Sequence, residues 1–285
     1  MAEVRVVAEG IVMGESVRWH DGRAWLCDWG AGTLLAVDLD GTVEVVPDLG
    51  DVVPWTVDWL PDGRLLVVPR GEPRLVRVEA DGRLATHADL AALAPGGCNE
   101  LVVDGRGNAY LNAIGYDMLA GEAPTTGTVL LVTPDGSARQ VADDVHFPNG
   151  MAVTPDGSTL VVAESHANRL TAFTIEADGS LSGRRPWAEM GTGTPDGICT
   201  DAEGAIWYAD VPNACCTRVL DGGEVTQVVP LGRGGFSCAL GGPDRRTLLA
   251  AATTWRGAET FTASPPAGRL LAADVEVAAA GWPSP

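Results

Sequence analysis

The segment Leu60-Pro61-Asp62-Gly63-Arg64-Leu65-Leu66-Val67-Val68 places a tight turn directly before an apolar, β-branched run. Asp-Gly supports hairpin turns because both residues tolerate positive φ. The run that follows it is typical of a buried strand. Variants of this turn recur every 41 to 52 residues, with their aspartates at Asp21, Asp62, Asp104, Asp156, Asp201 and Asp244. A second series of turns alternates with the first, at Asp40-Gly41, Asp81-Gly82, Asp135-Gly136, Asp178-Gly179 and Asp221-Gly222.

Two turns per repeat imply four strands per repeat, which is the content of a propeller blade. The sequence therefore predicts an all-β, six-bladed β-propeller with four-stranded blades, formed by residues 1–285 as one domain. The sixth repeat lacks its second Asp-Gly turn, so we expect the N-terminal strand around Arg5-Val6-Val7-Ala8 to complete the last blade. An open β-solenoid is the alternative architecture.

The composition excludes several classes of partner and of catalytic chemistry. The chain has 285 residues and a net charge of −19, and all of its basic residues are arginine. This charge repels nucleic acids and anionic membranes, so we expect neither as a partner, and a small molecule is the expected ligand. The absence of lysine excludes Schiff-base and P-loop lysine chemistry. The N-terminus lacks the basic and apolar regions of a signal peptide, which favours a cytoplasmic location. The oligomeric state stays open.

A polar ring is expected where the six innermost strands begin, next to the propeller axis. Reading back five to seven residues from each first turn reaches Glu15, Trp55, Asn99, Asn149, Asp196, and Phe236 or Ser237. Two carboxylates and two amides buried on one axis would be costly without a cation. Hard oxygen donors favour Ca²⁺, with Mg²⁺, Mn²⁺ or Zn²⁺ as alternatives. We expect a central axial metal site whose ligands are Glu15, Asn99, Asn149 and Asp196.

Simpler interpretations of the same residues stay open. Asn149-Gly150 and Asp196-Gly197 are also typical turn dipeptides, and Glu15 could be a solvated loop acid. The three then need not converge.

Three segments resemble motifs of the gluconolactonase/senescence-marker-protein (regucalcin-like) family. Gly14-Glu15-Ser16-Val17-Arg18-Trp19 resembles its opening acidic motif. Residues 147–157 are close to its central asparagine motif, and residues 194–204, followed by Trp207, resemble its aspartate motif.

The resemblance spans nearly the whole chain, and it implies a six-bladed propeller with a divalent ion on its axis. The matching positions carried over as metal ligands are Glu15, Asn149 and Asp196. Asn99 matches a position that contacts substrate in some members of the family and metal in others.

The chain also departs from that family's pattern. The usual arginine two residues before the asparagine is Gly97 here, and the usual Asn-Asp-Gly is Asn99-Glu100-Leu101. Arg70, Arg233 and Arg256 are candidates to replace that arginine. Candidate substrate contacts are Asn99, Trp55, Phe147, Phe236 and Tyr116, of which Tyr116 lies in the long connection 112–127. Met151 is a further apolar pocket candidate, and these side chains favour a ligand less polar than a sugar acid.

The leading functional hypothesis is a metal-dependent hydrolase of the gluconolactonase type, which opens a lactone or related ester. The ion would polarise the carbonyl, and Asp196 or a water on the ion would act as base or nucleophile. Glu100 is a second candidate base. Two alternatives stay open: a non-hydrolytic cyclase, isomerase or lyase that uses the same ion, and a binding propeller whose metal is structural.

Overall fold

A computed structural model describes residues 3–46, 49–118, 120–257 and 259–281. Within these ranges the strands form six four-stranded antiparallel sheets arranged as the blades of a propeller. The chain begins with β1 (Val4–Ile11), the outermost strand of the sixth blade. The first blade follows, with β2 (Gly14–His20), β3 (Arg23–Asp28), β4 (Thr33–Val37) and β5 (Val43–Val45). The second has β6 (Pro54–Trp59), β7 (Leu65–Pro69), β8 (Arg74–Val78) and β9 (Leu84–Asp89).

The remaining blades repeat this order from the axis outward. The third comprises β10 (Glu100–Val103), β11 (Ala109–Ala113), β12 (Gly127–Val132) and β13 (Ala138–Val145). The fourth comprises β14 (Pro148–Val153), β15 (Thr159–Glu164), β16 (Arg169–Ile175) and β17 (Leu181–Glu189). The fifth comprises β18 (Pro195–Thr200), β19 (Ile206–Asp210), β20 (Cys215–Val219) and β21 (Val225–Pro230). The sixth comprises β22 (Gly234–Gly241), β23 (Thr247–Thr253) and β24 (Gly268–Asp274), and β1 completes it.

These sheets confirm the all-β, six-bladed propeller that the turn spacing predicts. β1 pairs antiparallel with β24, so the two ends of the chain share one blade. That pairing covers the edge that β24 would otherwise expose to pairing with another chain.

Burial falls from the axis outward. β10, for example, is buried along its whole length, whereas all three residues of β5 are exposed. Apolar side chains of neighbouring blades interlock between the sheets, as Leu66 and Leu101 do between the second and third blades. These inter-blade layers stabilise the fold through burial of apolar area, at roughly 25 cal/mol per Å².

The two ends of the propeller carry different loops. Each innermost strand starts at the end where the second strand of its blade finishes, and we call this end the site face. The two long second-to-third-strand connections, residues 114–126 and 254–267, also lie there. Short 3₁₀ helices occur at Ser165–Ala167 and Glu259–Thr262, on the same face. None of the helices in the described ranges has the length and apolar character needed to cross a bilayer.

Candidate active site

A β-bulge interrupts the pairing at the mouth of five of the six innermost strands. The register shifts fall between Glu15 and Arg18, Pro54 and Thr56, Pro148 and Met151, Pro195 and Ile198, and Gly235 and Ser237. A bulge bends the strand locally and re-aims the side chains at that point. Three of these intervals contain Glu15, Asn149 and Asp196, so the same backbone device presents each expected ligand. β10 pairs with β11 without a shift, and Asn99 lies just before that strand.

The backbone beside two of these expected ligands is strained. Ser16 follows Glu15 with φ of 53°, and Phe147 precedes the Pro148-Asn149 pair with φ of 50°. Non-glycine residues adopt this left-handed region at a cost of about 1–3 kcal/mol, and such residues cluster at functional sites. Hydrogen bonds hold the turn at Ser16, whose Oγ accepts the Val57 N–H at 3.1 Å and lies 2.9 Å from Thr56 Oγ1.

Gly150 and Gly197 allow the innermost strands to approach each other closely. A Cβ on Gly150 would lie 2.5 Å from the backbone nitrogen of Ile198 and 2.6 Å from the backbone carbonyl oxygen of Asp196. A Cβ on Gly197 would lie 2.6 Å from the Ser237 Cα. Both glycines lie inside strands and are needed for packing space, so the reading of these pairs as simple turns is wrong.

Glu15 and Asp196 form a buried acidic pair at this mouth. Their relative exposures are only 7% and 9%. Burial raises the pKa of Glu15 well above its usual value, and repulsion from Asp196 and then Glu100 raises it further. Burial, followed by repulsion from Glu100, likewise raises the pKa of Asp196, while the Asn149 amide partly offsets this rise. Asp196 Oδ1 is buried with no hydrogen-bond partner, which is a costly state for a carboxylate.

Acidic side chains at the ends of three second strands fix the loops that lead into the site. Asp28 accepts the backbone N–H groups of Val12 and Met13, at 2.9 and 3.0 Å. Glu164 accepts the His146 N–H at 2.8 Å, and Asp210 accepts the Thr194 N–H at 3.2 Å. These loops precede Glu15, Asn149 and Asp196, respectively. The three acids therefore support the ligands without joining them.

Glu100 lies in the axial channel with both carboxylate oxygens engaged. Thr56 Oγ1 donates to Oε1 at 2.6 Å, and Arg18 Nη2 donates to Oε2 at 3.1 Å. Arg18 also donates to the carbonyls of Val17 and Leu101, at 3.0 and 2.7 Å. This buried pair holds Glu100 in place, so the geometry favours Asp196, which has an unpaired oxygen, over Glu100 as the base.

An amide chain links the third and fourth blades at the same level. Asn99 Nδ2 donates to the Pro148 carbonyl at 3.1 Å, and Asn112 Nδ2 donates to the Asn149 carbonyl at 2.7 Å. The Asn112 Oδ1 atom is buried and unpaired. Asn99 thus lies beside the ligand strand of the fourth blade, with its Oδ1 accepting the Trp55 indole N–H at 3.4 Å.

Aromatic side chains surround this mouth on the side of the first, second and sixth blades. Trp55 stacks on Trp29 with ring centroids 3.4 Å apart, and Phe261 lies parallel to Trp29 at 6.2 Å. Trp255 contacts both Phe261 and Phe236, at centroid distances of 6.3 and 5.6 Å. These five residues form a continuous series, which we call the aromatic arc.

A second aromatic group lies over the third and fourth blades. Phe147 stacks on His166 with centroids 4.4 Å apart, and Tyr116 lies 6.1 Å from Phe147. Tyr116 belongs to the long connection of the third blade, and Phe147 is two residues from Asn149. The structure therefore brings each sequence-predicted aromatic contact to the site face. Met151 is different, because it packs into the apolar core between the third and fourth blades.

The three candidate arginines differ in position. The Arg70 guanidinium lies 5.5 Å from the centroid of the Trp55 ring, so it is next to the arc. Arg233 donates to the Ala267 carbonyl at 2.7 Å, and Arg256 is exposed, as Arg70 also is, so the contact with Trp55 is what distinguishes Arg70. Arg70 is therefore placed best to act on a bound ligand.

Sequence reasoning did not single out Trp29, Phe261 or Asp28. Trp29 and Asp28 lie at the end of β3, the second strand of the first blade. A position at the end of a second strand is the signal that could have found Asp28, because Glu164 and Asp210 also end the second strands of their blades. Phe261 carries no such signal, because only the folded connection 254–267 brings it beside Trp29.

The donor set fits a hard divalent cation. No three His, Cys, Asp or Glu side chains within the described ranges come together in a way that could hold a metal ion. A cation here therefore needs an amide oxygen, such as that of Asn149, beside the carboxylates of Glu15 and Asp196. A bound cation would pair the orphaned Asp196 Oδ1 and relieve the repulsion that raises both pKa values.

Comparisons with known proteins show the family of the chain. The family model described as "SMP-30/Gluconolactonase/LRE-like region" matches residues 13–254. A pentonolactonase from Haloferax volcanii is 28% identical over 255 residues, which cover 87% of this chain and 84% of that protein. A 6-deoxy-6-sulfogluconolactonase from Pseudomonas putida is 30% identical over 156 residues, which cover 53% of this chain and 54% of that protein.

Solved structures show the same fold. A calcium-binding protein, regucalcin, from Agrobacterium tumefaciens superposes with a TM-score of 0.81 at 24% identity, covering 98% of this chain and 95% of that one. The family match includes the strands that carry Glu15, Asn149 and Asp196. The chain belongs to the SMP-30/gluconolactonase/LRE-like family.

Proposed function

We propose that this protein is a divalent-metal-dependent lactonase, which hydrolyses the ester bond of a cyclic ester. The observation that carries the proposal is the buried pair Glu15 and Asp196, with one Asp196 oxygen unpaired, where the innermost strands begin on the site face. Relatives named pentonolactonase and 6-deoxy-6-sulfogluconolactonase support the reaction class.

Glu15, Asn149 and Asp196 are the residues that would hold the ion, and Ca²⁺ is its expected identity. Oxygen-only donors suit Ca²⁺ first, and a related propeller of known structure is described as calcium-binding. When bound, such an ion supplies Lewis-acid polarisation of an ester carbonyl. Asn99, the fourth expected ligand, has its amide engaged by the Pro148 carbonyl and the Trp55 indole N–H, so we assign it to the substrate side of the site rather than to the ion.

Asp196 is the group that would accept the proton of the attacking water. Its Oδ1 has no protein partner and would face the ion, so its other carboxylate oxygen would take the proton. A bound cation would offset the rise in its pKa that burial causes, so Asp196 would act as a modest base held beside the ester. When the ring opens, the same side chain can return the proton to the leaving alkoxide, which yields a hydroxy acid. The backbone bulge and the Asp210 hydrogen bond to Thr194 hold it in position.

The test is turnover of a lactone panel before and after chelation, with product mass as the readout. The proposal expects the product to gain one water, with activity lost on chelation and restored by added Ca²⁺. Asp196→Asn should lower kcat by at least about a hundredfold, whereas Asp81→Asn, at an exposed turn on the opposite end, should retain it.

Chelator-insensitive hydrolysis would contradict the role of the ion. A product of unchanged mass would show that the reaction is an isomerisation and not a hydrolysis. Full activity in Asp196→Asn would remove this residue from the mechanism.

A further inference from the structure

We propose that the site takes lactones that carry a flat apolar substituent, such as an aryl group, beside the ester ring. This inference rests on the proposed function and specifies its substrate class. The feature that carries it is the aromatic arc of Trp55, Trp29, Phe261, Trp255 and Phe236.

The arc is attached to the reacting centre at both of its ends. At one end the Trp55 indole N–H reaches Asn99 Oδ1 at 3.4 Å. At the other end Phe236 is adjacent to Ser237, whose Oγ accepts the Val17 N–H at 2.9 Å, two residues from Glu15. A substrate whose ester lies at the carboxylates therefore has aromatic rings within reach of its substituent.

The rings are ordered before any ligand binds. Trp29 and Trp55 stack with their planes only 8° apart, and the Trp29 indole N–H donates to the Trp55 carbonyl at 2.6 Å. Phe261 is nearly parallel to Trp29, with an interplanar angle of 5°. Prior ordering lowers the conformational entropy lost on binding, which is how a rigid surface gains affinity.

Apolar surface remains exposed at this mouth. Trp255 is 43% exposed even though it touches two other rings of the arc. An exposed tryptophan that continues a series of partly buried rings is a candidate ligand contact. The group of Phe147, His166 and Tyr116 lies on the other side of the axis, so rings flank the mouth on two sides.

The chemistry of these side chains selects the substituent. Aromatic rings recognise flat apolar groups by stacking and edge-to-face contact. Hydroxyl-rich substituents instead require polar donors and acceptors, and unpaired hydroxyls against such a wall would be penalised. Gly97 supplies no side chain there, and a Cβ at this position would lie 3.4–3.5 Å from backbone atoms of Gly71 and Glu72.

The experiment compares three δ-lactones: the unsubstituted ring, the same ring with a phenyl substituent, and glucono-δ-lactone. We expect kcat/KM for the phenyl-substituted lactone to exceed the other two by about tenfold or more, mainly through KM. The Trp55→Leu and Trp255→Leu variants should each lower the ratio of phenyl-substituted to unsubstituted kcat/KM by about three- to tenfold.

The matched control is Trp25→Leu. Trp25 is also half-buried and contacts another tryptophan, but its indole N–H donates to the His20 carbonyl at the opposite end of the propeller. This variant should keep the wild-type ratio. If the ratio falls equally in Trp25→Leu, the loss reflects general destabilisation, and the inference is overturned.

A second readout separates this inference from the proposed function. The phenyl-substituted δ-lactam resists hydrolysis, so calorimetry measures its binding independently of turnover. Preferred binding of this lactam over the unsubstituted lactam, without hydrolysis of any lactone, would refute the lactonase and retain the arc as the binding surface. Hydrolysis with equal kcat/KM for all three lactones, or with glucono-δ-lactone preferred, would refute the inference and retain the lactonase.

Discussion

Substitution of Gly150 by alanine tests whether the close approach of the innermost strands sets the metal site. The new Cβ would lie 2.5 Å from the Ile198 nitrogen, whereas ordinary contact begins near 3.4 Å, so β14 and β18 must separate by about 0.9 Å. Forcing extra volume between packed backbones costs about 1–3 kcal/mol. The better backbone entropy of alanine returns about 0.5–1 kcal/mol, which leaves a net loss between about 0 and 2.5 kcal/mol, centred near 1 kcal/mol.

The same displacement moves Asn149 away from Asp196. Disturbing the supports of metal ligands typically lowers affinity by about 10- to 100-fold, and we expect Gly150→Ala to fall in that range for Ca²⁺. Urea unfolding of the chelated protein measures the stability loss, and calorimetric titration with Ca²⁺ measures the affinity.

The matched control is Gly96→Ala, because nothing lies within 4 Å of a Cβ at Gly96 and its φ is not positive. This variant should match or slightly exceed the wild-type stability and bind Ca²⁺ normally. Gly150→Ala with the stability and Ca²⁺ affinity of Gly96→Ala would refute the reasoning, because the strands would then have room to spare.

Three further predictions concern the acids around the site. Burial raises the pKa values of Glu15 and Asp196, and cation binding needs both carboxylates ionised. The Ca²⁺ affinity measured by calorimetry should therefore begin to fall above pH 4.5 as the pH is lowered. An affinity that stays constant down to pH 4.5 would contradict this prediction. Asp28→Ala leaves the Val12 and Met13 N–H groups unpaired, so urea unfolding should show a loss of about 1–3 kcal/mol, together with weaker Ca²⁺ binding; wild-type values would count against the support role. Burial raises the pKa of Asp58 from 3.8 to about 6, so the native state holds this proton more tightly than the unfolded state does. Its contribution to stability is then largest below pH 4 and falls by at most about 3 kcal/mol as the pH rises to 6; Asp58→Asn should lack this component in urea unfolding across the same range, and an identical pH profile in both proteins would contradict the assignment.

The blade architecture could be predicted from the sequence because its determinants are local. Asp-Gly turns such as Asp62-Gly63 fix where hairpins reverse, and the apolar runs between them fix which segments are buried strands. The mouth residues Glu15, Asn149 and Asp196 could be found because each lies five to seven residues before the aspartate of such a turn.

The finer features of the site depend on contacts between blades, which one sequence does not reveal. The β-bulges leave no mark on the alternating pattern, since they arise where neighbouring strands crowd the axis. Trp29 and Phe261 are separated by more than two hundred residues, and only ring closure stacks them. The engagement of Glu100 by Arg18 and Thr56 likewise joins three blades, which explains why the sequence offered Glu100 as a base.

Anomalous diffraction from crystals soaked in Mn²⁺, a scattering substitute for Ca²⁺, tests the central claim most directly. The account predicts one strong peak on the propeller axis, with oxygen atoms of Glu15, Asn149 and Asp196 in its coordination sphere, and no such peak in crystals of Asp196→Asn. A fully occupied peak at another position, or no peak in the wild-type protein at saturating Mn²⁺, would contradict a metal-dependent site at this mouth.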